Sequence, residues 1–314
     1  MLIYNKYFLK LNFFFIFNFL CLFIFCLLAF NDPSCASSEK LKIVASIAPL
    51  ADFARQVGGD KADVVLLLPP GASAHTYEPT PRMMQKISRA KVFIKIGAGL
   101  EFWADKMITA ANKDIIVVNC SENIELIEGN GHSHDHDKGI TLSGIHNADP
   151  HIWLDPVICM TIIKKIEDSF SKADPANSSY YKKNAAAYMV KLSALDKEIA
   201  DKVKIFRTKK YVTFHRSWSY FSKRYGLIVA GVIEESPGKE SSPKHISKIL
   251  KELKKINIKV VFAEPQSSAK IAEAIAREAG GKVLILDPVG GQKGRETYIE
   301  LMQYNLAVLE KAMK

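Results

Sequence analysis

The sequence predicts an α/β protein of two lobes, each built on a parallel sheet, joined by one long rigid helix. Three observations predict this fold class. Short apolar runs alternate with amphipathic stretches before residue 173, the same alternation returns after residue 208, and one continuous helical pattern lies between them. Such alternation of strands and helices requires parallel sheets with right-handed crossover connections. The two halves carry no clear sequence repeat, so they resemble each other only in the order of their elements.

The first 36 residues are predicted to be an export signal that takes no part in the fold. Lys6 and Lys10 precede an almost unbroken apolar run over residues 13–30, and Ser34-Cys35-Ala36 offers small residues for cleavage after Ala36. The length of the run is also near the lower limit for a membrane span, and Cys35 is a candidate for lipid attachment. The sequence is therefore compatible with cleavage, with an uncleaved anchor and with lipidation. All three outcomes place residues 37–314 outside the cytoplasm, and we expect a periplasmic protein.

Composition narrows the possible partners and leaves the cysteines uninformative. The formal net charge is +10, but the lysines are scattered and no basic run is interleaved with aromatic residues, so no nucleic-acid partner is expected. Cys120 and Cys159 are not spaced like a zinc knuckle or a redox motif. We expect them to be buried thiols, although an oxidising compartment would permit a disulfide.

Residues 37–173 are predicted to form the first lobe. Its strands are expected at residues 42–46, 64–68, 91–96 and 115–119, and its helices at 49–58, 81–89, 101–112 and from 156 onwards. The run at 64–68 is apolar throughout, as in a strand covered on both faces. Gly58-Gly59 ends the first helix, and Thr80-Pro81 begins the second with a cap and a first-turn proline.

Residues 174–207 are predicted to form the linker helix, with Asp174 as its N-cap and Pro175 at its first position. Apolar or small residues recur at alternating spacings of three and four, which places them on one helix face. They are Tyr181, Ala185, Tyr188, Leu192, Leu195, Ile199, Val203 and Phe206. Such a helix runs about 45 Å, longer than a small domain is wide. A long core helix is the alternative, but the flanking β-α alternation favours a strut between two lobes.

Residues 208–314 are predicted to form the second lobe. Its strands are expected at residues 211–214, 228–233, 259–263 and 283–286. Its helices are expected from the end of the first strand to residue 224, then at 243–255, 269–279 and 296–314. Ser242-Pro243 is an N-cap and first-turn pair, and Gly280-Gly281 ends the third of these helices.

Residues 128–147 differ from both lobes because they show no hydrophobic periodicity and are rich in histidine. The histidines of this segment are His132, His134, His136 and His146. Such a polar stretch cannot pack a core, so we predict a loop within the first lobe. It is either an inert linker or an auxiliary site that binds metal weakly.

Four candidate metal ligands lie at or after the ends of predicted strands. His75, His215 and Asp287 follow strands directly or closely, and His151 lies beyond the fourth strand, after the histidine-rich loop. Ligands of open parallel sheets bind outside the carboxyl ends of the strands. Two of the four residues come from each lobe, and three neutral imidazoles with one carboxylate can close a tetrahedral shell around a divalent ion. The sequence therefore predicts a metal site in the cleft between the lobes.

Several motifs also carry a family resemblance that covers nearly everything after residue 36. They lie at residues 71–81, 149–156, 214–220, 224–227 and 287–288, together with the linker helix. In these segments the chain resembles the solute-binding proteins of zinc and manganese ABC importers. The resemblance implies two α/β lobes on a rigid helix, with modest closure on binding, and it implies that His75, His151, His215 and Asp287 are the metal ligands. Some zinc members carry an acidic residue where this chain has Ala74, so either Asp287 or a water is expected as the fourth ligand.

The resemblance implies a receptor that captures Zn²⁺ as its transported ligand and delivers it to the membrane permease of an ABC transporter. A manganese or mixed zinc and manganese receptor is the alternative of the same type, although the manganese branch typically carries a carboxylate where this chain has His215. A secreted zinc hydrolase is the alternative from another class. Catalytic zinc needs an open coordination position and usually a nearby base, and the sequence has no His-Glu-x-x-His motif. We therefore expect no enzyme, and we expect a monomer.

Overall fold

The structure is a computed structural model that describes residues 39–78, 80–129, 148–235, 238–239 and 241–314. The predicted signal at residues 1–36 lies outside the described residues. So do the four histidines predicted to bind metal weakly, which are His132, His134, His136 and His146. Within the described ranges, no helix is both long enough and apolar enough to cross a membrane.

The first lobe is built on a four-stranded parallel sheet with the strand order β2-β1-β3-β4. The strands are β1 (Leu41–Ala45), β2 (Ala62–Leu66), β3 (Val92–Lys95) and β4 (Ile116–Asn119). Its helices are α1 (Ala48–Gly58), α2 (Pro81–Ser88), α3 (Ala104–Ala111) and α4 (Pro156–Ala173). All four strands lie within two residues of their predicted positions, because long apolar runs between turn residues identify buried strands well.

The second lobe repeats this topology with a different sequence, in the strand order β6-β5-β7-β8. Its strands are β5 (Lys210–Thr213), β6 (Ile228–Val232), β7 (Val260–Ala263) and β8 (Lys282–Ile285). Its helices are α6 (Ser219–Tyr225), α7 (Pro243–Lys255), α8 (Ala269–Glu278) and α9 (Tyr298–Met313). The two-lobed α/β class predicted from the sequence is confirmed.

The linker helix α5 spans Ser178–Lys204, and Pro175–Asn177 forms a separate 3-10 turn in front of it. The prediction that Asp174 caps the helix is wrong, because its side chain binds no backbone N–H. Its carboxylate instead accepts hydrogen bonds from the side chains of Asn177 and Tyr181, both at 2.7 Å. The predicted apolar face is confirmed: every residue of the stripe from Tyr181 to Phe206 is buried.

The linker helix does not stand free between the lobes, since it packs against α4 and α1 of the first and against α9 of the second. The last helix also returns to the first lobe. There the backbone N–H of Tyr298 donates to Asp52 at 2.9 Å, and the ring of Tyr298 lies 4.9 Å from that of Phe53. One buried apolar cluster therefore runs through both lobes and the helix between them. Cys120 and Cys159 are buried and unpaired, which confirms the expectation of buried thiols.

Candidate metal centre

Three histidines from distant parts of the chain converge on one point. The Nε2 atom of His151 lies 3.0 Å from Nε2 of His75 and 3.1 Å from Nε2 of His215. The ligand atoms of all three lie within 4.8 Å of one another. Tetrahedral zinc with Zn–N bonds of about 2.0–2.1 Å places neighbouring nitrogens about 3.3 Å apart. The three nitrogens therefore lie close to the positions that one bound ion would require.

The topology explains why these histidines meet at a pocket of about 250 Å³ lined by both lobes. His75 lies in the loop after β2, and His215 follows β5 by two residues. His151 directly precedes the 3-10 turn Ile152–Leu154, whose Trp153 donates a hydrogen bond to the carbonyl of Pro288 in the second lobe at 2.7 Å. Because the carboxyl ends of both sheets face this cleft, loops from each lobe reach the same point.

His151 is held from behind by Asp149. Its Nδ1 donates to Asp149 Oδ1 at 2.7 Å, and its backbone N–H donates to the same oxygen at 3.0 Å. The backbone carbonyl of Asp149 in turn accepts a hydrogen bond from the hydroxyl of Tyr220 in the second lobe at 2.9 Å. With Nδ1 carrying the proton, the lone pair of neutral His151 is at Nε2, which faces the centre.

His215 has the same kind of support from Glu264, which is not among the site residues predicted from the sequence. Its Nδ1 donates to Glu264 Oε2 at 2.5 Å, and the glutamate is only 2% exposed. Ser217 donates to the other oxygen of Glu264 at 3.4 Å. A signal for this contact existed in the sequence, because Glu264 directly follows a predicted strand that ends at the same sheet edge as His215.

His75 lacks such support in the described part of the chain, where no carboxylate accepts from its ring. Burial lowers the pKa of His75 to about 2, and the charges of His151 and His215 act in the same direction. Burial also lowers the pKa of His151, although the hydrogen bond and charge of Asp149 oppose that effect.

The electrostatics of His215 run the other way. Burial acts to lower its pKa, but the charge and hydrogen bond of Glu264, together with the weaker effects of the charges of Glu234 and Asp149, raise the pKa above its ordinary value. Of the three imidazoles, His215 is therefore the one that protons occupy most readily. Neutral imidazole is required for metal coordination, so competition between protons and a metal ion is concentrated at this residue.

Asp287, the predicted carboxylate ligand, does not belong to the group of converging ligand atoms. It is 0% exposed, and its Oδ2 lies 2.9 Å from Nη1 of Arg295. Its Oδ1 accepts hydrogen bonds from the backbone N–H groups of Val289 and Gly290 at 3.0 and 2.9 Å. The structure thus brings together three of the four predicted ligands, and the fourth, Asp287, directly precedes the pocket-lining Pro288 and Val289 in the chain.

Comparisons with known proteins find a family that this chain resembles over residues 43–312. The family model described as ZnuA, zinc-uptake complex component A periplasmic, matches these residues. The high-affinity zinc uptake system protein ZnuA of Bacillus subtilis (strain 168) is 33% identical over 288 residues, with 88% of this chain and 89% of that protein covered.

Two solved structures extend the similarity to the fold. A crystal structure of ZnuA superposes with a TM-score of 0.78 at 29% identity, covering 88% of this chain and 100% of that one. The crystal structure of Zn(II)-bound AdcA from Streptococcus pneumoniae gives a TM-score of 0.72 at 31% identity. That comparison covers 87% of this chain but only 58% of AdcA, which is the longer protein.

Proposed function

The chain belongs to the periplasmic zinc-uptake complex component A family, and from this premise we propose that His75, His151 and His215 hold the ion that it carries. The family consists of zinc receptors of ABC transporters, so this chain captures zinc and is not a hydrolase. The observation that carries the ligand assignment is the convergence of the three Nε2 atoms. Zinc is the cargo of this site and leaves it on delivery.

The chemistry of the three side chains supports zinc as the cargo. Zinc accepts four ligands rich in nitrogen, whereas manganese favours oxygen ligands and higher coordination numbers. The hydrogen bonds from His151 to Asp149 and from His215 to Glu264 orient both rings and raise the basicity of Nε2. We propose Asp287 as the fourth ligand, with a water as the alternative; to bind the ion, Asp287 Oδ2 must exchange its contact with Arg295.

The same proposal assigns a role to each part of the chain. Residues 1–36 form the export signal, residues 37–173 and 208–314 form the two lobes that share the cargo, and residues 174–207 form the linker. The repeated strand order in the two sheets supports this division. The histidine-rich loop at residues 128–147 serves as an auxiliary, weaker metal site. The partner is a membrane permease of the ABC type, which the chain serves as a monomer.

Metal titration of the purified protein tests the proposed function. We expect one tightly bound zinc ion per chain, no turnover of ester, amide or phosphate substrates, and displacement of manganese by zinc in direct competition. The variant His215→Glu, which adds an oxygen ligand, is expected to narrow the difference between the two metals. A wild-type protein that prefers manganese at equal free concentrations would contradict the zinc assignment, and the absence of any tight metal site would contradict the proposed ligands.

A further inference from the structure

Arg295, in the loop between β8 and α9, makes a contact that the family motifs do not explain. Its Nη1 lies 2.9 Å from Asp287 Oδ2, and both side chains are largely buried. Its Nη2 donates to Gln292 at 2.8 Å, and its guanidinium lies over the ring of Tyr304, 4.6 Å from the centroid. These three contacts hold the guanidinium against the carboxylate of Asp287, the residue before the pocket-lining Pro288.

The two oxygens of Asp287 have different environments. Oδ1 accepts from two backbone N–H groups and from Nε2 of Gln266, the last at 3.2 Å. Within the described residues, the contact of Oδ2 is with Arg295, and the two atoms face each other without the alignment of a hydrogen bond. Asn305 binds the backbone of Asp287 on both sides, at 2.8 and 2.7 Å. Oδ2 is therefore the oxygen of a fixed aspartate whose described contact is a charge contact alone, so an ion that binds it displaces Arg295 but breaks no hydrogen bond.

We propose that Arg295 determines metal specificity by competing with the bound ion for Oδ2 of Asp287. This inference rests on the proposed function, because it takes Asp287 as the fourth ligand of the three-histidine centre. A carboxylate already neutralised by a guanidinium is a weaker ligand for any divalent ion. Manganese depends on oxygen ligands more than zinc does, so it loses more from this competition. Arg295 thereby widens the preference for zinc.

A purely structural role for Arg295 predicts a different result. The backbone carbonyl of Arg295 accepts from the N–H of Gly291 at 2.8 Å, and the side chain braces the same loop through Gln292. Loss of that bracing would weaken zinc and manganese binding together, or lower the unfolding temperature, without changing the ratio of the two affinities. The ratio is therefore the measurement that separates specificity from stability.

The test is the variant Arg295→Gln, with zinc and manganese affinities measured by competition titration and the unfolding temperature measured with and without each metal. We expect the ratio of manganese to zinc dissociation constants to fall by about tenfold, the size of a typical pairwise coupling. The matched control is Arg224→Gln, which removes the same charge from a pair with Asp196 at 2.5 and 2.6 Å on the linker helix. That control is expected to leave the ratio at the wild-type value.

Two further variants give the test a definite outcome. In Asp287→Asn with Arg295→Gln, the carboxylate is absent, so the gain for manganese is expected to disappear. If Arg295→Gln does not fold, Arg295→Lys replaces it, and its single ammonium is expected to give a smaller shift in the same direction. A folded Arg295 variant that binds zinc one to one with an unchanged ratio overturns the inference alone. A wild-type chain without a tight zinc site overturns the proposed function itself.

Discussion

The three histidines of the candidate metal centre differ in how firmly the fold holds them, since His151 and His215 are supported by carboxylates and His75, among the described residues, is not. His151 and His215 each donate from Nδ1 to a buried carboxylate, at 2.7 and 2.5 Å. His75 lies in the loop after β2, and the described residues offer its ring no carboxylate. Two of the three proposed ligands, one from each lobe, are therefore fixed in tautomer and direction, while the third depends on its loop.

Under the proposed ligand assignment, this difference indicates that the three histidines contribute to metal capture in different ways. The carboxylate behind a ligating histidine fixes its ring orientation and raises its basicity before an ion arrives. His151 and His215 thus form a preorganised pair whose Nε2 atoms are 3.1 Å apart. His75 completes the set from the first lobe, and its pKa of about 2 keeps it neutral throughout the physiological range.

Replacement of a proposed ligand is expected to have the largest effect on zinc affinity. The loss should be similar for His75 and for the two histidines that a carboxylate supports. His75→Ala, His151→Ala and His215→Ala should each weaken zinc binding by more than about 100-fold, the upper end for loss of a supporting residue. Titration calorimetry gives the affinity, and circular dichroism checks the fold. His245→Ala is the matched control, because its Nε2 bonds to the carbonyl of Val232 outside the centre. Unchanged affinity in a ligand variant would remove that residue from the site.

Removal of a supporting carboxylate tests the comparison itself. Glu264→Gln and Asp149→Asn should each weaken zinc binding by about 10- to 100-fold, because the ring behind Nε2 loses its orientation and some basicity. Glu310→Gln, which alters a pair with Lys202 away from the centre, serves as the control and should bind zinc normally. Wild-type zinc affinity in both Glu264→Gln and Asp149→Asn would mean that the two carboxylates serve only the fold.

The pH dependence should follow His215 more than the other two ligands. Protonated imidazole cannot bind metal, and Glu264 raises the pKa of His215 above its ordinary value of 6.5. Zinc affinity should therefore begin to fall as the pH drops through that raised pKa and should continue to fall towards pH 5. In Glu264→Gln the fall should move to lower pH, because the charge that favours the protonated ring is gone. Binding that stays flat from pH 7.5 to 5 would argue against the three-histidine centre.

The smallest effect is expected from the histidine-rich loop. Deletion of residues 131–136 should leave the tight site nearly unchanged and remove additional, weaker metal equivalents, since a polar irregular segment is not preorganised for metal. Zinc titration of the deletion variant, compared with the full chain, measures both. Loss of the tight site in the deletion variant would mean that the loop contributes ligands to that site.

Much of this molecule was predictable from local sequence. The apolar runs and turn residues placed the eight strands of the described residues, and the three-four spacing from Tyr181 to Phe206 identified the buried face of the linker helix. The histidines could be placed in the cleft between the lobes because ligands bind outside the carboxyl ends of parallel strands, whatever the details of packing. The boundary of α5 was less accessible, because the side chain of Asp174 bonds to Asn177 and Tyr181 instead of capping the helix.

The sequence by itself thus determined the two-lobed class, the elements of each lobe and the three histidines that come together, since periodicity and strand ends are local properties of the chain. Only the tertiary structure decided which groups stand behind them. Glu264 supports His215 across 49 residues because β5 and β7 are neighbours in the second sheet. Arg295 faces Asp287 because the loop between β8 and α9 turns back on itself. Contacts of this kind depend on strand order and loop path, which no local pattern specifies.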